Sequence, residues 1–178
     1  MVNREFNIVE VGHPALVHAA APVDDFTDPY LRKVIEAMEV LMEERAGVGI
    51  AATQLGVGLQ MMIVASRPNP RYPKAPEMKP LLLINPDVLW QSPSTEKDWE
   101  GCLSIPGLRA QVCRPMAATV SYQSASGENH KVELSGFPAR VFFHEYDHLI
   151  GKNLFDRIAC GVDVYSEAEY QKRVGNLS

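Results

Sequence analysis

Disulfide chemistry, long apolar runs and excess positive charge are all missing from this 178-residue sequence. Its three cysteines, Cys102, Cys113 and Cys160, are odd in number and far apart, which argues against a disulfide framework and favours a reducing compartment. No run of about 18 apolar residues is present, so we expect no membrane span. The net charge of -5, from 17 basic and 22 acidic residues, argues against direct nucleic-acid binding, which needs a basic surface.

The N-terminal segment has no apolar stretch behind a basic start, so no secretory signal is predicted. We expect a cytoplasmic protein; an organelle stays open, because an import presequence is cut from a longer precursor. The hydrophobic content of 46% and the charged content of 22% are typical of globular proteins. A chain of this length can bury a substantial core without disulfides. We predict a single domain over residues 1–178.

The first clear element is a helix from about Pro29 to Ala46. Asp28 is a favourable N-cap residue, and proline suits the first helical position. Gly47 is expected to end the helix. Apolar residues recur on one stripe at three-and-four spacing: Leu31, Val34, Ile35, Met38, Leu41 and Met42.

Five short strands are predicted over residues 59–64, 81–84, 87–90, 118–122 and 131–134. Residues 66–80 hold five prolines and predict an irregular surface loop. A second helix is predicted over Phe137–Ile150, and it is apolar on most of its sides, which is typical of a helix in the middle of a fold. Short strands around one central helix indicate an α+β domain.

The second helix carries the segment His144-Glu145-Tyr146-Asp147-His148. Residues four apart in a helix share a face, so both imidazoles can reach one metal ion, and H-E-x-x-H is a known helical metal motif with the glutamate as general base. The alternative is two core histidines satisfied by hydrogen bonds. Burying the two imidazoles and the two carboxylates of this segment is costly unless an ion compensates them. We expect Asp147 to pair with an arginine such as Arg114.

Two histidines leave the metal site incomplete, because a catalytic site usually has three protein ligands and one open position. Spacing alone does not choose the third ligand. A thiolate and a downstream carboxylate, as in metalloproteases that draw a glutamate from a later helix, are both open. The candidates are Cys102, Glu167, Glu169, Cys113 and Cys160.

Residues 47–54, G-V-G-I-A-A-T-Q, are rich in small side chains that let a ligand approach the backbone. The amide of Gln54 is suited to donate to a developing oxyanion. Taken alone, however, the segment more simply predicts a helix end followed by a tight turn into a strand.

Three motifs in this order, G-x-G-x-A-A-x-Q, E-G-C-L-S and H-E-x-x-D-H, resemble the signature motifs of the peptide deformylase family. His13-Pro14-x-Leu16 is similar to a further family feature, and the likeness covers about residues 10 to 158. The resemblance implies a hydrolase that removes the formyl group from the N-terminal formylmethionine of nascent polypeptides. It also implies one domain of small, mostly antiparallel sheets packed around the central helix with the H-E-x-x-H motif.

The resemblance implies a catalytic role for each motif. The metal ligands would be Cys102, His144 and His148, with water as the fourth. Metal-bound water would attack the formyl carbon, with Glu145 as general acid and base. Gln54 and the backbone N–H of Leu103 would stabilise the tetrahedral oxyanion.

Six residues are expected to bind or support the substrate: Val48, Gly49, Glu100, Arg109, Arg140 and Val141. The first two would line the groove and pair with the peptide backbone, and the next two match positions that support the groove. The last two, one turn before the first metal histidine, are candidates for the walls of a methionine pocket, with the arginine contributing its alkyl stem.

The resemblance implies one divalent metal, typically Fe²⁺ in cells, with Zn²⁺, Ni²⁺ or Co²⁺ in purified samples. The ligand set does not distinguish iron from zinc. The implied partners are formyl-Met nascent peptides. Well-studied bacterial members end in a basic helix that docks on the ribosome, whereas residues 161–178 here carry a net charge of -1, from two basic and three acidic residues. We therefore expect weak or different ribosome contact through this tail.

Two positions depart from the family pattern. Phe143 stands before the first histidine, where the family often has glutamine, and Val17 stands where a basic residue often follows the leucine.

Two rival hypotheses remain. A zinc endopeptidase with Glu167 or Glu169 as third ligand would keep its metal in Cys102→Ala. A relative that binds metal or formyl peptide without catalysis, supported only by Phe143, would bind peptide tightly without turnover.

Overall fold

Two antiparallel sheets flank one buried helix in the computed structural model, which describes residues 5–69, 72–159 and 163–173. The helices are α1 (Pro29–Glu44), α2 (Phe137–Leu149) and α3 (Glu167–Arg173). The strands are β1 (Gly49–Ala51), β2 (Met61–Ser66), β3 (Met78–Gln91), β4 (Thr95–Cys102), β5 (Ile105–Pro115), β6 (Ala117–Gln123), β7 (Asn129–Ser135) and β8 (Val164–Ser166). Short 3₁₀ turns cover Pro14–Leu16, Ala52–Leu55 and Leu154–Asp156.

The larger sheet has five strands in the order β1-β2-β3-β6-β7, and the smaller has three in the order β4-β5-β8. Every strand pairing in both sheets is antiparallel. Helix α2 contacts β1, β2 and β7 of the larger sheet and β5 of the smaller one. The predicted α+β class, with small antiparallel sheets around a central helix, is therefore confirmed. The extent of one domain over residues 1–178 stays a prediction.

Helix α1 begins as the sequence predicts but ends earlier. The Asp28 side chain accepts a hydrogen bond of 2.8 Å from the Tyr30 N–H, which caps the first turn. The left-handed residue after the helix is Ala46, with φ 49°, and not the predicted Gly47. The Gly47 N–H instead bonds back to the Met42 carbonyl at 2.8 Å. The chain thus turns sharply before β1 and brings its glycines to the pocket described below.

All five predicted strands lie in the larger sheet, with one correction. The segments 81–84 and 87–90 belong to a single strand, β3, in which Asn85 takes a φ of 50° and the register shifts. The β4–β5 hairpin was not predicted. Most of β4 is exposed and polar, and β5 contains Pro106, Gly107 and Pro115, so neither strand shows a regular apolar alternation.

Helix α2 lies in the middle of the fold, as its apolar sides predict. It follows Gly136, whose φ of 59° reverses the chain after β7. Phe142 and Ala139 are fully buried, and so are the charged and imidazole side chains of its last turns. No helix among the described residues is both long and apolar enough to cross a membrane.

Candidate active site

The end of β4 meets the buried face of α2 at a cluster of three residues that can ligate a metal. His144 and His148 lie one turn apart, with ring centroids 5.4 Å apart. The Cys102 Sγ lies 3.3 Å from the His148 Nε2. One ligand atom from each residue lies within 4.8 Å of the other two, and all three side chains are buried. These are the residues that the family resemblance names as ligands.

The other candidates for the third ligand are placed elsewhere. Glu167 binds Arg109, with a distance of 2.8 Å to its Nε. Glu169 pairs with the two basic residues of α3 at 2.9 and 3.3 Å. Cys113 is exposed. Cys160 lies outside the described residues.

The donor atoms of the cluster suit a metal. Burial alone would raise the pKa of the Cys102 thiol, but the imidazoles of His148 and His144 hold this pKa well below its usual value. This shift favours the thiolate over the thiol. Thiolate and imidazole together are donors that zinc and iron accept. Because three such donors converge in a buried space, the residues present fit a divalent ion.

Glu100 orients the first histidine. Its Oε2 accepts a hydrogen bond of 2.9 Å from the His144 Nδ1, which leaves Nε2 of that ring for a metal. Burial opposes the charge of Glu100, but His144 and Arg114 lower the pKa of this carboxyl to about 2. Arg114 and Arg140 hold both carboxylate oxygens at 2.9–3.0 Å. The carboxylate is therefore charged and fixed.

Arg114 joins this carboxylate to Asp147 on α2. Asp147 also accepts a 3.0 Å hydrogen bond from the Nε of Arg157. The predicted pairing of Asp147 with an arginine is therefore confirmed. This network of ion pairs connects the β4–β5 hairpin to α2. Each charge in it has a partner, as buried charges require.

A pocket opens beside the three-residue cluster. It is lined by Gly47, Val48, Gly49, Gln54, Tyr72, Trp99, Glu100, Gly101, Leu103, Phe137, Arg140, Val141, His144 and Glu145. Thus five of the six predicted substrate-binding residues line the pocket. The sixth, Arg109, is fully buried behind the wall that Tyr72 and Gly101 form.

Glu145 lies between the cluster and β1. Its Oε2 is buried and has no hydrogen-bond partner among the described residues. Burial raises the pKa of this carboxyl to about 7. A carboxyl that titrates near neutral pH is suited to both accept and donate a proton.

Gln54 is held in a fixed orientation. Its Oε1 accepts a 2.8 Å hydrogen bond from the Ala51 N–H. Its Nε2 therefore points to the other side, 3.3 Å from the Ser104 Oγ and 3.6 Å from the Cys102 Sγ. Gln54 and Leu103 both line the pocket. The side-chain amide is thus presented at the thiolate side of the site.

Sequence reasoning missed the aromatic wall of the pocket. Tyr72 belongs to the proline-rich segment that we interpreted as an irregular surface loop, and its ring lies 4.9 Å from the Phe137 ring. An aromatic residue among prolines was the only available signal. Phe143, the departure from the family pattern, is buried against Phe142 with ring centroids 5.3 Å apart. It therefore contributes to core packing.

Known proteins are similar to this chain in sequence. The family model for polypeptide deformylase matches residues 5–161. Peptide deformylase 2 of Nostoc sp. is 41% identical over 167 residues, which cover 94% of this chain and 93% of the relative. Peptide deformylase 2 of Shewanella oneidensis is 45% identical over 155 residues, which cover 87% of this chain and 85% of the relative.

Solved structures are similar in fold. The class I type b peptide deformylase of Acinetobacter baumannii, with Met-Ala-Ser bound, has a TM-score of 0.82 at 42% identity and covers 85% of this chain and 97% of its own. The peptide deformylase of Thermotoga maritima has a TM-score of 0.77 at 37% identity and covers 88% of this chain and 99% of its own.

Proposed function

The chain belongs to the peptide deformylase family, and we propose that Cys102, His144 and His148 form the metal centre with which it removes the N-formyl group of nascent polypeptides. One observation carries this assignment. The sulfur and the two imidazoles converge within 4.8 Å beside a buried carboxylate oxygen that has no hydrogen-bond partner among the described residues. A divalent ion bound there supplies a Lewis acid that polarises the formyl oxygen and lowers the pKa of water. We propose Fe²⁺ as the metal in cells, as the family resemblance implies. The same ligands also accept Zn²⁺, Ni²⁺ or Co²⁺.

Glu145 is the group that moves the proton. Its carboxylate takes a proton from the attacking water and delivers it to the amine that leaves when the C–N bond of the formamide breaks. Its pKa of about 7 allows both steps near neutral pH. Its Oε2 accepts no hydrogen bond from any described residue, so no described group competes for the proton.

Gln54 and the backbone N–H of Leu103 stabilise the oxyanion that forms as the formyl carbon becomes tetrahedral. Gln54 suits this role because its carbonyl oxygen is fixed by the Ala51 N–H, so the amide group does not rotate freely. Preorganised donors of this kind cost no reorientation during the reaction.

The peptide binds in the groove between β1 and β4. Each of these strands lies at the edge of its sheet, so each can pair with an extended peptide. We propose that Val48 and Gly49 pair with the backbone, and that Val141 and the alkyl stem of Arg140 line the methionine pocket. The Acinetobacter baumannii relative holds Met-Ala-Ser, a peptide that begins with methionine.

Contact with the ribosome through α3 is expected to be weak. Both basic residues of this helix, Lys172 and Arg173, already pair with Glu169. We place the protein in the cytoplasm because its substrates are nascent chains. Replacing both basic residues with glutamate should leave ribosome co-sedimentation unchanged. A tight, salt-sensitive association that is lost in this variant would refute the expectation.

The central test is an anaerobic assay on formyl-Met-Ala-Ser combined with metal analysis of the same sample. We expect turnover and about one metal ion per chain for the wild type, and loss of both in Cys102→Ala. The matched control is Cys113→Ala, because this cysteine is exposed. Air should inactivate the iron form, since its thiolate ligand is oxidisable.

Two other outcomes would support the rival hypotheses. Retention of metal in Cys102→Ala, together with its loss in Glu167→Gln, would indicate an endopeptidase with a glutamate ligand. Tight binding of the formyl peptide without turnover in the anaerobic wild type would indicate a relative that has lost catalysis.

A further inference from the structure

The hydroxyl of Tyr72 is hydrogen-bonded to a backbone N–H group at the edge of the groove. It accepts a hydrogen bond from the Gly101 N–H at 3.2 Å and another from the Nη1 of Arg109 at 3.2 Å. Both partners are donors, so both bonds use lone pairs of the phenol oxygen. Tyr72 therefore joins the proline-rich loop to the strand that forms one side of the groove.

The partner that holds Tyr72 in place is rigid. Arg109 is 0% exposed, and its Nε donates to Glu167 at 2.8 Å. Its guanidinium carbon lies 5.3 Å from the centre of the Tyr72 ring and 5.0 Å from that of Tyr170. The Tyr72 ring also lies against the Phe137 ring, with centroids 4.9 Å apart. The tyrosine is thus fixed by contacts with three parts of the fold.

The Gly101 N–H is a group that an extended peptide needs. Gly101 lies on β4, which is an edge strand, and it lines the pocket. Peptides that add to a sheet edge obtain much of their affinity from backbone N–H and C=O groups of this kind. Here the tyrosine hydroxyl takes that donor in advance.

We propose that Tyr72 is a specificity-determining residue that limits peptide pairing along β4. Its hydroxyl competes with the carbonyl groups of the second and later residues of the substrate for the Gly101 N–H. The chain should therefore gain little affinity from residues beyond the formylmethionine. The inference rests on the proposed deformylase function. It adds that the enzyme recognises mainly the formylmethionine and makes few backbone contacts with later residues of the peptide.

Tyr72→Phe tests the inference, because it removes the hydroxyl and keeps the ring against Phe137. We expect the KM for formyl-Met-Ala-Ser to fall about two- to tenfold, the range of one neutral hydrogen bond. The KM for formyl-methionine amide should change less than twofold, since this substrate has no second residue. Tyr30→Phe, on the exposed side of α1, is the matched control and should change neither value.

A second measurement reports on the donor directly. On addition of the peptide Met-Ala-Ser to the zinc-loaded protein, the amide resonance of Gly101 should shift further in Tyr72→Phe than in the wild type. The inference is overturned if the two KM values change by the same factor, if the tripeptide KM rises, or if the resonance behaves alike in both proteins. Absence of turnover of either substrate by the wild type would instead overturn the proposed function.

Discussion

Gly49 and Glu145 approach so closely that a Cβ on the glycine would lie 2.5 Å from the Oε1 of the glutamate. The same Cβ would lie 2.7 Å from a methyl group of Val141. Real Cβ atoms do not come this near to other atoms, so a side chain on β1 would displace the proposed catalytic carboxylate. The need for glycine in the G-x-G-x-A-A-x-Q motif thus has a steric cause at this position.

Gly49→Ala should therefore reduce kcat by about 100-fold, because a displacement of about 1 Å is enough for such a loss. The metal content should stay the same, since the three atoms nearest to the added Cβ belong to Glu145 and Val141 and not to a proposed ligand. Gly58→Ala is the matched control, because a Cβ there meets no atom within 4 Å. A variant at position 49 with wild-type kcat would show that Glu145 is not placed by β1.

Gln54→Ala should lower kcat by about 10²- to 10³-fold, or roughly 2.7–4 kcal/mol in the activation free energy, if the side chain is an oxyanion donor. The KM should change little, because the donor acts mainly on the developing charge. Gln91→Ala, at an exposed strand end, is the control. The assignment would be wrong if kcat fell less than threefold with full metal content.

Glu100→Gln should weaken metal binding about 10- to 100-fold, the usual effect of removing the hydrogen-bond partner of a ligating histidine. The change leaves the His144 Nδ1 without a carboxylate acceptor. Competition with a metal chelator measures the affinity. Glu96→Gln lies on the same strand with an exposed side chain and should bind metal as the wild type does. Equal affinity in both variants would contradict the orienting role.

Asp147→Asn should destabilise the fold at neutral pH and have a smaller effect in acid. Burial opposes the charge of Asp147, but Arg157 and Arg114 hold its pKa below the ordinary value. Such a carboxylate binds its proton more weakly when folded, so its stabilisation is present above the unfolded pKa of about 4 and is lost as the pH falls through the lower folded pKa.

Urea unfolding at several pH values measures this effect. At pH 7 the variant should lose about 3 kcal/mol of unfolding free energy, the size expected when one partner of a buried ion pair is removed. The difference from the wild type should shrink steadily below pH 4. Asp24→Asn, at an exposed position, should match the wild type throughout. A difference that stays constant from pH 7 to pH 3 would contradict the ion-pair explanation.

Helix α2 and its two histidines could be predicted from sequence, because the pattern that indicates them lies within one short segment. Four-residue spacing places His144 and His148 together, and the apolar sides of the helix indicate its burial. Helical spacing could not identify the proposed third ligand. Cys102 comes close to α2 because it lies in the β4–β5 hairpin, which was not predicted. That hairpin is polar and rich in turn residues, so its strands form through pairing with each other and not through their own periodicity.

The position of Tyr72 also depends on contacts between residues that are distant in sequence, and it was even less predictable. Proline-rich loops have no periodicity from which a direction can be predicted, and the loop is held by Arg109 and Gly101, which are distant in sequence. The end of α1 was predicted at a glycine, whereas Ala46 takes the left-handed conformation. Tertiary contacts fix Tyr72, whereas the end of α1 is fixed by local hydrogen bonds from Ala46 and Gly47 to the last turn of the helix.

The sulfur and the imidazole that meet at 3.3 Å are separated by 46 positions along the chain. A growing copy of this protein therefore lacks one residue of the proposed metal centre until synthesis has passed His148. The isolated helix cannot substitute, because its 13 residues are too few for a stable helix in water. Each new molecule must therefore be synthesised past His148, and fold, before it can process the chains that follow it.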